Sequence, residues 1–300
     1  MIFEKKLNDF LNNENTKQKI IVVYGPTASG KTGLSLEIAK LLNTEIISTD
    51  SRQIFRELNI GTGKITIEEM QGIKHHMIDF VNPDDEYSVG EFKSEAEKCI
   101  EDIISKQKIP VLCGGTGLYI DSLIYDFDIP NVPADEDLRN KLELERLEFG
   151  NQYIWDKLNG IDSNYAKELH PNNYRYVIRA LEVKMLTGKS KTEFRTEKSL
   201  KYDVLFLTPY SGNREELYNK INKRIQMMFD DGLVLEVQNL LKKYSKNDFG
   251  MKTIGYKEVI DYLEGNITLQ ECVDLVQKNN RNYAKRQLTW FRKYEEDLEI

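Results

Sequence analysis

The feature that most constrains this chain is a segment near its N-terminus that matches the pattern G-x-x-x-x-G-K-[ST] at every fixed position. The segment reads Gly25-Pro26-Thr27-Ala28-Ser29-Gly30-Lys31-Thr32. A β-branched apolar run at 20–23 precedes it and predicts a buried strand, and apolar residues at helical spacing follow it. A strand, a glycine loop and a helix together surround phosphate oxygens with backbone N–H groups and a helix N-terminus. The segment therefore predicts a phosphate-binding loop in an α/β domain.

Two side chains of this loop carry the expected chemistry. Lys31 supplies a positive charge, and the Thr32 hydroxyl is placed to hold a Mg²⁺ ion. An ordinary glycine turn is the alternative, but it would require neither these two residues nor the flanking strand and helix. The motif does not identify the ligand, because a nucleotide and any other diphosphate offer the same phosphate groups.

Polar groups follow two further predicted strands. Asp50 comes directly after the run 45–49, and Thr116 follows the run 109–113. Because the carboxyl ends of parallel strands line the ligand crevice in such folds, Asp50 is expected to face the phosphate loop. Asp50 also has the position of an N-cap for a helix beginning near Arg52. Thr116 is either a hydroxyl that faces the substrate or part of a plain glycine turn.

The predicted helix 214–230 carries one charge on its apolar face. Leu217, Ile221, Arg224 and Met228 recur at spacings of four, three and four residues, so they share one stripe. An arginine on such a stripe is costly unless it meets an anion. Either an acidic side chain pairs with Arg224, or its guanidinium reaches the phosphates held by the loop at 25–32.

The middle of the chain departs from the alternating α/β pattern. Pro130 and Pro133 mark the change, and no strand-like run follows until residue 203. The predicted helices there are 135–149, 152–158, 163–169 and 173–186, the last ending at Gly188. We therefore expect a P-loop-type α/β core with a mostly parallel sheet flanked by helices, plus a helical insertion subdomain. The core comprises 1–128 and 199–300, and the insertion comprises 129–198.

A long last helix opens with a capping box and becomes basic towards its end. Between 278 and 293 it carries six basic residues and no acidic one. Three of them share one face, namely Arg281, Lys285 and Arg292. Tyr283 and Trp290 lie on the opposite face and are expected in the core. The basic face is either an ordinary solvated surface or a phosphate-binding stripe.

Composition excludes several classes of protein. Hydrophobic residues make up 40% of the 300 residues and charged residues 30%, so the chain can bury a core. No run is long enough for a membrane span, and the start of the chain does not resemble a secretory signal. Three scattered cysteines lack metal-ligand spacing and fit a reducing cytoplasm. Adjacent histidines in a predicted strand at 75–79 point to opposite faces, so they do not suit a zinc site. The net charge of −7 argues against nucleic acid unless a local basic surface overrides it. Nothing indicates an obligate interface, so we expect a monomer.

Taken together, these motifs resemble the tRNA dimethylallyltransferases, also called tRNA isopentenyltransferases, from about residue 21 to residue 292. Many proteins share the phosphate loop, but few others share the whole series in this order. The motifs after the loop are Asp50-Ser51-Arg52-Gln53, Asn59-Ile60-Gly61-Thr62 with Lys64, His75-His76 with Asp79, Gly114-Gly115-Thr116-Gly117-Leu118-Tyr119, Arg175 to Arg179 followed by Ala180-Leu181-Glu182-Val183, Ile254-Gly255-Tyr256-Lys257-Glu258, and Tyr283-Ala284-Lys285-Arg286-Gln287 with Thr289-Trp290 and Arg292. The sequence departs from the family at Phe55, where tyrosine is more usual, and at Gly63, where alanine is. It shows no C-terminal zinc finger of the eukaryotic kind, so it is most similar to the short bacterial type.

The resemblance implies transfer of the dimethylallyl group from dimethylallyl diphosphate to N6 of the adenosine just 3′ of the anticodon in tRNA. The loop at 25–32 would bind the donor's diphosphate, and Thr32 would help to hold Mg²⁺. Lys31 and Arg224 would neutralise charge on the leaving diphosphate. Asp50 would accept a proton from the attacking amine, and Thr116 would position the substrates.

The resemblance also implies that the adenosine is flipped out of the anticodon loop into the site. Most of the predicted tRNA contacts are carried over from the family's motifs, and Arg281 and Lys285 are added from the basic face. The predicted contacts are Asp50, Ser51, Arg52, Gln53, Thr116, Arg139, Arg175, Tyr176, Val177, Ile178, Arg179, Lys252, Thr253, Ile254, Gly255, Tyr256, Lys257, Arg281 and Lys285.

Three other functions compete with this one. A small-molecule kinase or ATPase would use the same loop, with Asp50 or Asp79 holding Mg²⁺. A prenyltransferase acting on free adenine nucleotides would share the donor site but would need no RNA surface. An RNA-binding module with a degenerate phosphate loop would not need the intact Lys31, Thr32 and Asp50.

Overall fold

The larger part of the chain is built on one sheet of five strands. They are β1 (Lys19–Tyr24), β2 (Ile46–Ser48), β3 (His75–His76), β4 (Val111–Gly114) and β5 (Asp203–Leu207). The order in the sheet is β3-β2-β4-β1-β5, and every pairing is parallel. This computed structural model describes residues 2–125, 132, 135–194 and 199–296. The predicted α/β core with a parallel sheet is confirmed.

Helices flank the sheet and form the middle of the chain. They are α1 (Ile2–Asn12), α2 (Lys31–Leu41), α3 (Ile67–Met70), α4 (Val89–Ser105), α5 (Gly117–Ile124), α6 (Glu136–Ile161), α7 (Ser163–Ala166), α8 (Tyr174–Thr187), α9 (Arg214–Asp230), α10 (Leu233–Leu240), α11 (Tyr256–Leu263) and α12 (Leu269–Glu296). Short 3₁₀ turns lie at Lys191–Phe194 and Gly250–Lys252. Within the described ranges, no helix combines the length and the apolar character that a bilayer span demands.

The chain divides into two units. One comprises Met1–Ile124 and Leu200–Ile300, and the other comprises Tyr125–Ser199. The predicted boundaries at 128/129 and 198/199 fall on or beside residues outside the described ranges, as do Pro130 and Pro133. The exact limits of the insertion therefore stay a prediction.

The carboxyl ends of the strands bring distant segments side by side. Residues 20–23 of β1 are fully buried between β4 and β5, as expected for a central parallel strand. At the end of β4, a Cβ on Gly114 would lie 2.3–2.5 Å from atoms of Thr49, so only glycine allows the ends of β4 and β2 to approach this closely. The Thr49 amide donates to the Cys113 carbonyl at 2.9 Å, and the Thr116 amide donates to the Thr49 carbonyl at 3.1 Å. Asp50 and Thr116 are thereby placed at one edge of the sheet.

Two local predictions near this edge are wrong. No helix begins near Arg52, because residues 51–54 form turns and Phe55 makes an isolated bridge with Val81. The strand predicted at 75–79 ends after His76, since Met77 and Asp79 have φ angles of 62° and 61°, which a strand does not allow.

The helical insertion follows its predicted pattern. Gly150, with φ 89° and ψ 170°, breaks α6 between the two stretches that the sequence separates. Gly188 ends α8 in the left-handed conformation. The core of this unit is apolar and includes Leu142, Ile154, Leu158, Val177 and Leu181.

The two aromatic residues predicted in the core of α12 lie elsewhere. Trp290 is 38% exposed, and Tyr283 is only half-buried. The buried stripe of the helix runs instead through Cys272, Val276, Ala284, Gln287, Phe291 and Tyr294. The stripe is therefore displaced around the helix from the face on which Tyr283 and Trp290 lie.

The capping box of α4 provides a test of local stability. The Ser88 side chain accepts a hydrogen bond from the Glu91 amide, and Glu91 bonds back to the Ser88 amide. We expect Ser88→Ala to lower the free energy of unfolding by about 1 kcal/mol, because it leaves a helix N–H group without a partner. Urea denaturation measures this, with Ser94→Ala on the exposed side of the same helix as the control. Equal stability of the two variants would contradict the capping role.

Candidate active site

A cavity of about 300 Å³ opens at the carboxyl edge of the sheet. The phosphate loop contributes Thr27, Lys31 and Thr32 to its wall, and the segment after β2 contributes Asp50, Arg52 and Gln53. Further wall residues come from 61–63, from the end of β4, from Arg224 of α9, from 252–254 and from α12. Segments that are far apart in the sequence therefore form a single site.

The glycine loop has the conformation that a phosphate-binding loop requires. Gly30 stands at the N-cap of α2 in the left-handed conformation with φ 96°, and Gly25 has φ 146°. On its outer side, a second hollow of about 360 Å³ is lined by the loop residues 28–32 together with Lys220, Lys223 and Arg224. Lys31, Thr32 and Arg224 line both spaces, so an anion in the loop would also touch the cavity that holds Asp50.

Lys31 lies half-buried where these spaces meet. Its Nζ donates to the Pro26 carbonyl of its own loop at 2.7 Å. The pKa of Lys31 is lowered from 10.5 to about 8, mainly because desolvation disfavours the ammonium form; Arg224 acts in the same direction, and Cys113 and the Asp50 carboxylate oppose the shift. An anion in the loop would stabilise the ammonium form and raise this pKa.

Arg224 lies without an acidic partner among the residues that the structure describes. Within that part of the chain its guanidinium makes one long hydrogen bond, from Nη2 to the Gly63 carbonyl at 3.4 Å. Among the described residues no carboxylate oxygen lies within 4.0 Å of the guanidinium, which removes the internal salt bridge that the sequence left open. Burial lowers the pKa of Arg224, and the more distant Asp50 and Glu69 raise it. The side chain is therefore a half-buried cation available to an anionic ligand.

Asp50 faces the same cavity with one oxygen engaged. Its Oδ1 accepts a hydrogen bond from the Arg52 amide at 2.8 Å, which is an Asx turn and replaces the predicted helix cap. In the described part of the chain, no donor forms a recorded bond with Oδ2. The carboxylate is thus oriented by the turn and keeps one oxygen for a ligand.

Thr116 supports the segment after β2, which carries Asp50 and Ser51, and is not among the residues that line the cavity. Its Oγ1 accepts from the Ser51 amide at 3.0 Å and donates to Ser51 Oγ at 3.2 Å. It also bonds to the Tyr283 side chain. The structure thus gives Thr116 contacts with site residues, and its predicted role towards substrate stays a prediction.

Sequence reasoning missed a bridge between two loops of the site. Gln287 is only 4% exposed, and its Oε1 accepts from the Thr27 amide at 2.9 Å while its Nε2 donates to the Gly115 carbonyl at 2.9 Å. Asn280, Tyr283 and Arg286 of the same helix line the cavity. A polar residue on the otherwise apolar stripe of α12 was the available signal.

Comparisons with known proteins identify the family of the chain. A family profile described as IPP transferase matches residues 53–294. The chain belongs to the IPP transferase family. The tRNA dimethylallyltransferase of Alkaliphilus oremlandii is 49% identical over 282 residues, which are 93% of this chain and 90% of the relative. That of Acetivibrio thermocellus is 47% identical over 279 residues, or 92% and 89% of the two chains.

Solved structures of similar proteins extend the comparison. The tRNA isopentenylpyrophosphate transferase of Bacillus halodurans is 44% identical, with a TM-score of 0.67 over 92% of this chain and 87% of the other. The transferase from Staphylococcus epidermidis is 42% identical, with a TM-score of 0.66 over 92% and 90% of the two chains. A eukaryotic dimethylallyltransferase, determined in structures of its action on tRNA, is 32% identical, with a TM-score of 0.79 over 91% and 70%.

The tRNA contacts predicted in the core of this IPP transferase family member fall into two groups. Lys252, Thr253 and Ile254 line the cavity, and Lys285 is exposed on α12. Tyr256, in contrast, is fully buried, and Gly255 with Lys257 surrounds the buried carboxylate of Glu258. Arg281 donates to Asn222 Oδ1 on α9 at 2.5 Å. Direct contact of RNA with Tyr256 does not fit this structure, because its side chain is enclosed.

The contacts predicted in the helical insertion are divided in the same way. Arg175 and Tyr176 are exposed, whereas Val177 and Ile178 belong to the core of this unit. Arg139 and Arg179 both pair with Glu182, whose side chain is fully buried, at 2.9 and 2.5 Å. Both guanidinium groups therefore neutralise a buried charge, and the predicted contact of Arg139 and Arg179 with tRNA stays a prediction.

The residues present suit a Mg²⁺ ion that arrives with phosphate. The exposed Thr32 side chain and the Asp50 carboxylate line the same cavity and offer hard oxygen ligands. Among the described residues, no three His, Cys, Asp or Glu side chains form a group that would hold a metal by itself. Mg²⁺ commonly takes one or two protein oxygens together with substrate phosphates and water.

The pKa of Lys31 gives a prediction on pH. Because this pKa is lowered to about 8, the ammonium is lost as the pH rises through 8, and we expect the affinity for an organic diphosphate to fall there. Binding should take up a proton near pH 8, since the anion raises the same pKa. Calorimetry in buffers of different ionisation enthalpy between pH 7 and 9 measures both effects. Lys31→Met should bind weakly with no such pH dependence, and an unchanged pH profile in this variant would contradict the assignment.

Proposed function

We propose that this protein transfers the dimethylallyl group of dimethylallyl diphosphate to N6 of the adenosine just 3′ of the anticodon in tRNA, releasing diphosphate. The observation that carries the proposal is that one cavity joins the Asp50 carboxylate to two cations, Lys31 and Arg224, which bond to backbone carbonyls and form no ion pair among the described residues. The relatives named tRNA dimethylallyltransferase support the same reaction. A diphosphate leaving group and a weakly nucleophilic amine require these two kinds of group.

The cationic side of the cavity serves the leaving group. As the bond between C1 of the donor and its bridging oxygen breaks, negative charge grows on the diphosphate. Lys31, Arg224 and the loop N–H groups are held in place before the reaction, so they stabilise that charge without rearranging. Mg²⁺ held with the phosphates, with Thr32 as the candidate protein ligand, would add positive charge at the same place.

The carboxylate side serves the nucleophile. The lone pair of the adenine N6 amine is delocalised into the ring, so the amine attacks C1 poorly without assistance. The N6–C1 bond forms, and the proton that leaves N6 passes to Asp50, whose Oδ2 has no recorded partner among the described residues. General-base assistance of this kind typically contributes about 10²–10⁴-fold.

The mouth of the cavity suits an unstacked base on a phosphate backbone. Arg52, Lys252 and Arg286 supply positive charge there, and Tyr283 supplies an aromatic wall. Cations with an interleaved aromatic ring are typical of sites for single-stranded RNA. This arrangement favours tRNA over a free adenine nucleotide as acceptor, although both would present the same amine.

A kinase or ATPase remains the second candidate because the loop alone would suit ATP. One of its two possible Mg²⁺ ligands is disfavoured, since Asp79 pairs with Lys64 and does not line the cavity. Incubation with radiolabelled dimethylallyl diphosphate, ATP, Mg²⁺, unmodified tRNA and AMP distinguishes the candidates. Label in tRNA supports the proposal, and label in AMP indicates the free-nucleotide enzyme. ATP consumption with no label transferred would contradict both.

Asp50→Asn should separate chemistry from binding. The amide keeps the shape of the side chain but cannot accept the N6 proton as a carboxylate does, so we expect turnover to fall by roughly 10²–10⁴-fold. Single-turnover transfer of label measures the loss, with filter binding of tRNA as the control for an intact RNA site. Turnover near that of the parent would show that another group is the base.

Lys285→Glu should weaken tRNA binding more than donor binding. Lys285 is exposed on the basic face of α12, so its charge can contact a phosphate of the RNA backbone. We expect the slope of log affinity against log salt to fall by roughly 1–2, because a cation is lost and an anion gained. Lys5→Glu on α1 is the control, because it makes the same change of charge away from this face. An equal slope for parent and Lys285→Glu would exclude Lys285 from the RNA interface.

A further inference from the structure

A second glycine loop, formed by residues 59–64, reaches the cavity but does not present its N–H groups to it. The amides of Asn59, Ile60 and Gly61 donate to the Glu236 carboxylate at 3.2, 2.8 and 3.3 Å. Three consecutive N–H groups that converge form a nest that binds anions. In this protein a carboxylate of α10 fills the nest, so this loop is not a second phosphate site.

Glu236 is itself held from the other side. The Tyr256 hydroxyl donates to its Oε1 at 2.5 Å. Burial and the neighbouring Glu236 carboxylate raise the pKa of Tyr256 well above its ordinary value, so the hydroxyl keeps its proton and remains a donor. A Cβ on Gly61 would lie 2.4 Å from Tyr256 Cε2, which shows how closely the loop packs on this ring. Carboxylate, tyrosine and loop form one fixed assembly.

The same loop holds two side chains of the cavity. The Gly63 carbonyl accepts from Gln53 Nε2 at 3.0 Å and from Arg224 Nη2 at 3.4 Å. A Cβ on Gly63 would lie 1.6 Å from Arg224 Nη2, so the guanidinium occupies the space that an alanine methyl would take. Since Arg224 has no carboxylate partner in the described part of the chain, the loop is its main polar support.

We propose that Glu236 is a positioning residue for diphosphate binding, because it fixes residues 59–63 and these in turn hold Arg224 at the cavity. The inference rests on the proposed function in one respect, namely that the cavity binds a diphosphate. Glu236 does not itself line the cavity, and it meets the cavity wall only through the backbone amide of Gly61. Its effect therefore passes through the loop.

The test is the affinity for inorganic pyrophosphate with Mg²⁺, measured by titration calorimetry. Glu236→Gln keeps the size of the side chain but turns an amide towards the loop N–H groups, so the loop and Arg224 should shift. We expect roughly tenfold weaker binding, since displacements near 1 Å in such sites have effects of this order or larger. Tyr256→Phe keeps the carboxylate and should weaken binding by roughly two- to threefold. The Tyr256→Phe variant also tests the inference if Glu236→Gln does not fold.

A matched control separates positioning from loss of stability. Asp121 is a buried carboxylate that also accepts from a tyrosine hydroxyl, that of Tyr294 at 2.6 Å, but it lies outside the cavity wall. Asp121→Asn should lower the melting temperature as Glu236→Gln does, yet leave pyrophosphate affinity unchanged. An equal loss of affinity in both variants would reduce Glu236 to a stability role and overturn the inference.

A double-mutant cycle tests the route through Arg224. If Glu236 acts through this guanidinium, Glu236→Gln should have little further effect in an Arg224→Gln background. Additive losses would contradict the proposed route. If the parent protein binds pyrophosphate and both Glu236→Gln and Tyr256→Phe bind it equally well, the inference is overturned but the proposed diphosphate site is not. Absence of binding by the parent would instead overturn the proposed diphosphate site, and the inference with it.

Discussion

The site depends on two cations at one edge of a parallel sheet, neither of which forms an ion pair with an acidic side chain in the described part of the chain. Desolvation of Lys31 and Arg224 is unfavourable, and it lowers the pKa of both groups. The nearest compensation within the protein is a pair of backbone carbonyls, those of Pro26 and Gly63. The fold therefore holds a positive potential ready for an anion, and the surrounding loops are built to maintain it.

Elsewhere the chain treats buried charge in the opposite way. In the helical insertion, Glu182 is fully buried and two arginines pair with it. The contrast distinguishes structural charges, which are matched inside the protein, from those left for a ligand. It also explains why a basic motif in the sequence is not by itself evidence of an RNA contact. Arg139 and Arg179 belong to the first kind, and Arg224 belongs to the second.

The sequence was sufficient where a feature depends on neighbouring residues. The phosphate loop, the break at Gly150 and the position of Arg224 follow from local spacing. Features built from distant segments were missed, such as the Glu236 contacts with residues 59–61. The prediction that Trp290 lies in the core was wrong, because a helical wheel shows which residues share a face but not which face meets the core.

The contact of Gln287 with Thr27 joins residues separated by 260 positions in the chain. Its other contact, with Gly115, spans 172 positions, and β5 pairs with β1 only after the whole insertion has been made. Contacts of such separation form late, because closing long loops costs entropy before the contacts can compensate. On the ribosome, the phosphate loop of this chain would emerge early but receive its last support only after α12 had been synthesised. The support that holds the loop in its present conformation is thus acquired only once α12 has been made, long after the loop itself.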